Sequence, residues 1–118
     1  MLINRTTGQT LAQQVRLCTT FWRRLRGLTF RRQIGADEAY IFTGARESVA
    51  ESTIHMLGVF FPIAVLWLDG QKRVVDAKLA RPFRPYYAPR RPAQHFVEGA
   101  PHLLDQVHVG DELDWEMG

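Results

Sequence analysis

Four histidines, one cysteine, two serines and a run of arginines set among aromatic rings carry most of the reactive chemistry of this 118-residue chain. Zinc or iron would require three or more converging imidazole or carboxylate ligands. His55, His95, His102 and His108 show no His-x-His or His-x-x-x-His spacing. A centre built from His55, His95 and Glu98 would depend on tertiary proximity alone, and residues three apart on a regular strand point to opposite faces. No metal and no cofactor is therefore expected. Ser48 and Ser52 lie outside any Gly-x-Ser-x-Gly elbow, and the chain has no phosphate-binding Gly-x-x-x-x-Gly-Lys loop and no Gly-x-Gly-x-x-Gly turn. Those absences argue against a conventional serine hydrolase, a kinase and a dinucleotide oxidoreductase. Cys18 is the only cysteine, which excludes an intrachain disulfide and a cysteine zinc cluster; it reads as a buried, inert thiol. No residue is assigned as catalytic.

The segment from Arg81 to Pro92 interleaves Arg81, Arg84, Arg90 and Arg91 with Phe83, Tyr86 and Tyr87, and holds four of the six prolines. Rings and guanidinium groups in alternation can bind single-stranded nucleic acid, by stacking on bases and pairing with phosphates. The reading favoured is a proline-stiffened loop whose aromatics cap the open end of a sheet while the arginines stay solvated.

The elements that would position these groups are mostly strands. Leu2 to Asn4 and Thr10 to Cys18 flank a Thr-Gly turn. Thr19 or Thr20 suits a helix N-cap, Phe21, Leu25 and Leu28 share one helical face, and Gly27 suits the stop, so one short amphipathic helix is expected near residues 20–27. Tyr40 to Phe42 and Val49 to Met56 read as strands. Pro62 to Leu68 is an apolar run too short for a helix and reads as a buried strand. Asp69-Gly70-Gln71-Lys72 turns it into a returning strand, Arg73 to Leu79. Gln94 to Glu98 is a further strand. Glu112 to Met117 alternates Leu113, Trp115 and Met117 with Glu112, Asp114 and Glu116, the pattern of a half-buried antiparallel strand. Many short strands and one helix predict a mainly β, single-domain sandwich or barrel spanning residues 1–118.

Hydrophobic residues make up 46% and charged residues 23% of the chain, an ordinary globular balance. No apolar run would cross a bilayer and the N-terminus lacks the design of a signal peptide, so a cytoplasmic protein is expected. The net charge of +3 is unevenly laid out. Arg5, Arg16, Arg23, Arg24, Arg26, Arg31 and Arg32 are the only charges before Asp37; after Arg91 all are acidic, from Glu98 to Glu116. Such asymmetry can mark a nucleic-acid or membrane surface. The favoured reading is that the two ends meet in the fold and neutralise each other, with Arg5 or Arg16 beside the acidic face of the last strand.

Three phrases in one order carry a resemblance. They are Arg26-Gly27-Leu28-Thr29-Phe30-Arg31, then Ile54-His55-Met56 leading to Phe61-Pro62-Ile63-Ala64-Val65-Leu66-Trp67-Leu68-Asp69, then Phe96-Val97-Glu98 ahead of Gly110-Asp111. Roughly from Val15 to Trp115 the chain resembles the bacterial and archaeal family known as domain of unknown function 192. The resemblance implies a jelly-roll-like β fold and no established activity. It also makes Arg31 and Glu98 matched positions. The chain departs from the family at Thr29, usually Met, at His55, often Trp, and at Ala64, usually Asp. The family's glycine after the Val-Glu pair is displaced to Gly99. No site is carried over through Ala64 or Gly99.

Candidate ligand-binding residues are therefore Arg26, Arg31, His55, Arg84 and Glu98. Arg31 could hold an anion through two parallel hydrogen bonds while Glu98 orients a hydroxyl; an Arg31–Glu98 strut pinning helix to sheet is the competing structural reading. The expected function is a non-enzymatic binding or interaction module for a small anionic or polar ligand or a protein partner. One alternative is a small hydrolase or isomerase using Glu98 or His55 as acid or base, with Arg31 stabilising negative charge. The other is an electrostatic adaptor for nucleic acid or for a secretion or surface-assembly complex, with nucleic acid disfavoured.

Overall fold

A computed structural model describes residues 1–18, 34–54, 56, 59–84 and 86–116, without the Cys18 side chain. The helix expected near residues 20–27 lies outside the described residues. Among the described residues, eight strands form two sheets. They are β1 (Leu2–Asn4), β2 (Gln9–Ala12), β3 (Gln14–Cys18), β4 (Glu38–Ser48), β5 (Ile63–Leu68), β6 (Val74–Ala80), β7 (Ala93–Gly99) and β8 (Leu113–Trp115). A three-stranded sheet has the order β2-β1-β8, and a five-stranded sheet the order β3-β4-β7-β5-β6. Among these strands only the β3/β4 pair is parallel. The mainly β sandwich expected from the sequence is what the chain forms.

One hydrophobic layer fills the space between the sheets. Leu2, Leu11, Ala12 and Leu113 of the small sheet meet Ala39, Ile41, Ala64, Leu66, Leu68 and Val97 of the large one. A second layer lies on the opposite face of the large sheet. There Tyr40, Phe42, Ile63, Val65 and Trp67 pack with Ile54, Met56, Val59 and Phe61, which come from the segment before β5. β5 therefore carries apolar side chains on both faces, which is why Ile63–Leu68 reads as one uninterrupted apolar run.

A row of small residues, Ala39 on β4, Gly99 on β7 and Ala64 on β5, crosses the back of the large sheet. Leu103, from a short 3-10 turn over Pro101–Asp105, is seated in it. A Cβ on Gly99 would come within 2.3 Å of Leu103 Cδ1, so any larger residue there requires the Leu103 side chain or its turn to shift. Ala64 belongs to the same apolar layer and is fully buried. A carboxylate there would have to be desolvated against Leu103 and its neighbours, which is a physical reason for alanine in this chain.

Two expected elements differ. Thr10 to Cys18 is not one strand: it breaks at Gln13, whose amide donates to Asp37 Oδ1 at 2.8 Å, and the chain passes from the small sheet to the large one. Residues 49–53 form a turn, because Ser52 and Thr53 hydroxyls donate to the Ser48 and Val49 carbonyls instead of leaving those groups to a ladder. Only Ile54 makes a bridge, with Tyr87. The β5/β6 hairpin forms as expected, with Asp69 Oδ1 accepting from the Gln71 and Arg73 amides. The ends of the chain do meet: β1 pairs with β8, and Arg5 Nη2 lies 2.7 Å from Asp114 Oδ2.

Candidate functional site

β7 is the central strand of the large sheet, so its side chains have no sheet edge by which to reach solvent. Glu98, the last residue but one of that strand, is 0% exposed. Strand register places Tyr40 of β4 on one side of it and Val65 of β5 on the other, with Lys78 of β6 beyond Val65. The next row on the same face is Phe42, Phe96, Trp67 and Asp76. Phe42 and Phe96 stack at 4.6 Å, and Trp67 Nε1 donates to the Ser52 carbonyl at 2.8 Å. Placing a carboxylate in such a layer costs several kcal/mol unless hydrogen bonds or an opposite charge compensate it.

A second carboxylate shares the face. Glu38 is two residues before Tyr40 on β4, and Tyr40 Oη donates to Glu38 Oε1 at 2.6 Å. The other oxygen, Oε2, accepts from the Gly35 amide at 3.2 Å. Glu38, Tyr40 and Glu98 therefore form a polar group at one end of an aromatic and aliphatic layer. Its chemistry is that of two hydrogen-bond-accepting carboxylates and a phenol. It suits recognition of groups that donate, such as hydroxyls and amines, or of a cation.

The candidate residues from the sequence divide. Glu98 lies at the centre of this face. Arg26, Arg31 and His55 fall outside the described residues. Arg84 is exposed; its carbonyl accepts from the Met56 amide at 3.0 Å, and no hydrogen bond or ion pair joins its guanidinium to Glu98. The loop bearing Arg84 does line the same side of the sheet. Tyr87 pairs with Ile54, and its hydroxyl accepts from the Arg81 amide at 2.8 Å. Lys78 Nζ donates to the Ala88 carbonyl at 2.6 Å, and Asp76 Oδ2 accepts from the Arg90 amide at 3.0 Å, so edge strand β6 anchors the loop. Tyr87 packs against the core as a cap, whereas Phe83 and Tyr86 are exposed and do not.

His95 points the other way, as its spacing from Glu98 requires. Its Nδ1 lies 3.0 Å from Thr43 Oγ1, and its ring meets Trp115 edge-on at 5.3 Å. Burial, reinforced by the nearby Lys72 ammonium, lowers its pKa and favours the neutral ring. His102 Nε2 donates to the Ala36 carbonyl at 2.7 Å. Among the described residues no group of three His, Cys, Asp or Glu is arranged to hold a metal ion. Glu38 and Tyr40 were not singled out by sequence reasoning. Their i, i+2 spacing puts them on one strand face, but only the β4/β7 register brings that face beside Glu98.

Among the described residues no helix is long and apolar enough to cross a membrane. Comparison with known proteins places the chain among archaeal relatives. It is 37% identical to a UPF0127 protein of Thermococcus kodakarensis over 117 residues, covering 98% of this chain and 73% of that one. With a UPF0127 protein of Pyrococcus furiosus the identity is 34% over 116 residues, covering 97% of both chains. In three dimensions it is similar to a crystal structure of a protein of unknown function from Novosphingobium aromaticivorans. The TM-score is 0.82 at 21% identity, covering 97% of this chain and 82% of the other, a likeness of fold alone. The family model described as "Uncharacterized ACR" matches residues 2–115, and with that match and those relatives the chain belongs to the domain of unknown function 192 family.

Proposed function

We propose that this protein is a non-enzymatic binding module whose site is the face of the large sheet bearing Glu98, Tyr40 and Glu38. The observation that carries the reading is a fully buried carboxylate on the central strand, one residue across from a buried phenol that bonds a second carboxylate. A carboxylate buried this deeply is the kind of group that binding sites hold, where burial and charged neighbours tune it. The ligand class is a small polar molecule with hydroxyl or amino donors directed at Glu98 and Glu38. Arg26, Arg31, His55 and Arg84 are the further candidates for contacting the same molecule, the arginines through an anionic substituent on it.

A thermal-shift panel of sugars, amino sugars, amino acids and phosphorylated polyols tests this. Any molecule that binds only the native state raises its melting temperature by mass action. The expected result is a shift with one probe class in the wild type that is lost in folded Glu98→Gln and reduced in Tyr40→Phe. A shift of equal size in both variants, or no shift by any probe, would overturn the reading in favour of a structural role for Glu98.

A further inference from the structure

The loop from 81 to 92 and the segment before β5, which pack on the same side of the large sheet as Glu98, also present an exposed surface. Phe60 and Phe83 are 53% and 50% exposed and meet edge to face, centroids 4.9 Å apart and planes at 84°. Tyr86 is 68% exposed on the same loop. Phe83 is held at φ 62°, in the left-handed region that a bulky side chain adopts at a cost. Its amide donates to the Met56 carbonyl at 2.9 Å, so backbone pairing keeps an apolar ring outside the core in a strained conformation.

The charge along the loop has one sign. Arg81, Arg84, Arg90 and Arg91 are exposed, and no acidic residue occurs between Asp76 and Glu98. None of the four guanidinium groups makes an ion pair among the described residues. Isolated exposed apolar residues are ordinary; two phenylalanines in contact, flanked by uncompensated arginines, mark an interaction surface. Its occupant must be anionic and must offer an apolar environment to rings that have no polar handle.

We propose that this Arg–Phe surface docks on an anionic lipid bilayer, with Phe60 and Phe83 inserted as a wedge and the arginines on the phosphates. The edge-to-face geometry favours this over single-stranded nucleic acid, because perpendicular rings offer successive bases no common stacking platform. Arginine attracted to acidic headgroups and aromatic rings at the headgroup level are the two usual elements of interfacial binding. The Glu98 site then faces a molecule delivered at, or attached to, that surface.

The test is co-sedimentation of the purified chain with vesicles of phosphatidylcholine alone or with 30–40% phosphatidylglycerol, roughly the charge density at which each basic residue contributes measurably. Binding to the anionic vesicles alone is expected, falling steeply as salt shortens the Debye length. Arg81→Gln with Arg84→Gln should lower the affinity by about tenfold or more. Phe83→Gly removes the ring and relieves the positive φ, so it should lower binding while leaving the melting temperature equal or higher. A folded Phe83→Gly chain that binds as well as wild type overturns the proposal. So does a wild type that ignores anionic vesicles, or one that binds an oligo-dT strand or a poly-glutamate peptide in their place.

Discussion

Replacing Gly99 by alanine probes how the back of the large sheet supports the site on its front. The added Cβ would stand 2.3 Å from Leu103 Cδ1 and 3.6 Å from the Glu38 carbonyl oxygen. The clash is with the end of a flexible side chain, but Leu103 is itself buried among Ala39, Ala64, Leu66 and Val97 and has little room to turn. Overpacking of this kind costs about 1–3 kcal/mol, or roughly 3–10 °C in melting temperature for a chain of this length. Leu103→Ala alone leaves a cavity and should cost about 2–5 kcal/mol. In the double variant the new methyl group enters the space that Leu103 vacated. Gly99→Ala should therefore cost nothing on the Leu103→Ala background, or recover part of the loss. Urea unfolding of the four proteins gives the coupling directly. If the two single costs add within about 0.5 kcal/mol, the contact does not set the requirement for glycine, and the trough is not what fixes β7.

Other consequences follow from the same packing and electrostatics. Ala64→Asp, which restores the residue usual in the family, places a carboxylate in the layer against Leu103 and should destabilise the chain by about 2 kcal/mol or more, read as a lower urea midpoint. Arg5 and Lys72 hold the Asp114 carboxyl, with Lys72 the larger influence, and bring its pKa to about 2. A group depressed in the folded state stabilises above its unfolded value and loses that contribution as pH falls through the folded one. The contribution is about 2.4 kcal/mol at most and about 1 kcal/mol once solvent screening of the exposed Arg5 and the half-buried Lys72 is allowed for. Asp114→Asn should accordingly lower stability at pH 7 by about 1 kcal/mol and flatten the acid limb below pH 3.8. His95 acts at higher pH. Because burial lowers its folded pKa, the unfolded chain takes up the proton first, so stability present above 6.5 should decline as pH drops below it. His95→Gln should remove that step in a urea midpoint measured from pH 8 to pH 5.

Much of the fold is legible in the residues because it is written in local patterns. The unbroken apolar run of β5, the Asp69-Gly70 turn and the alternation around Leu113 and Trp115 each have one local explanation, and each forms where the pattern puts it. The meeting of Arg5 with Asp114 is not local; it was legible, as Arg5 or Arg16, from the opposite charges of the two ends of the chain. Val49 to Met56 misled because β-branched and apolar residues there carry strand propensity, while Ser48, Ser52 and Thr53 bond locally and make a turn. The site was only half legible. Glu98 was singled out by the family resemblance, as a matched position, but the phenol and second carboxylate beside it depend on β4 lying next to β7, a non-local pairing that no spacing encodes. The exposure of Phe60 is equally invisible in a sequence where Phe60 and Phe61 are neighbours and only the second is buried.

The most direct test of the central claim is where a ligand touches the protein. Amide proton–nitrogen spectra of the labelled chain, recorded against the sugar, amino-sugar, amino-acid and phosphorylated-polyol panel, locate binding residue by residue. The account expects the probe that raises the melting temperature to shift the amides of residues 38–40 and 96–98, and to leave them unmoved in Glu98→Gln. Shifts confined to residues 81–91, or to the β1 and β8 strands, would contradict it.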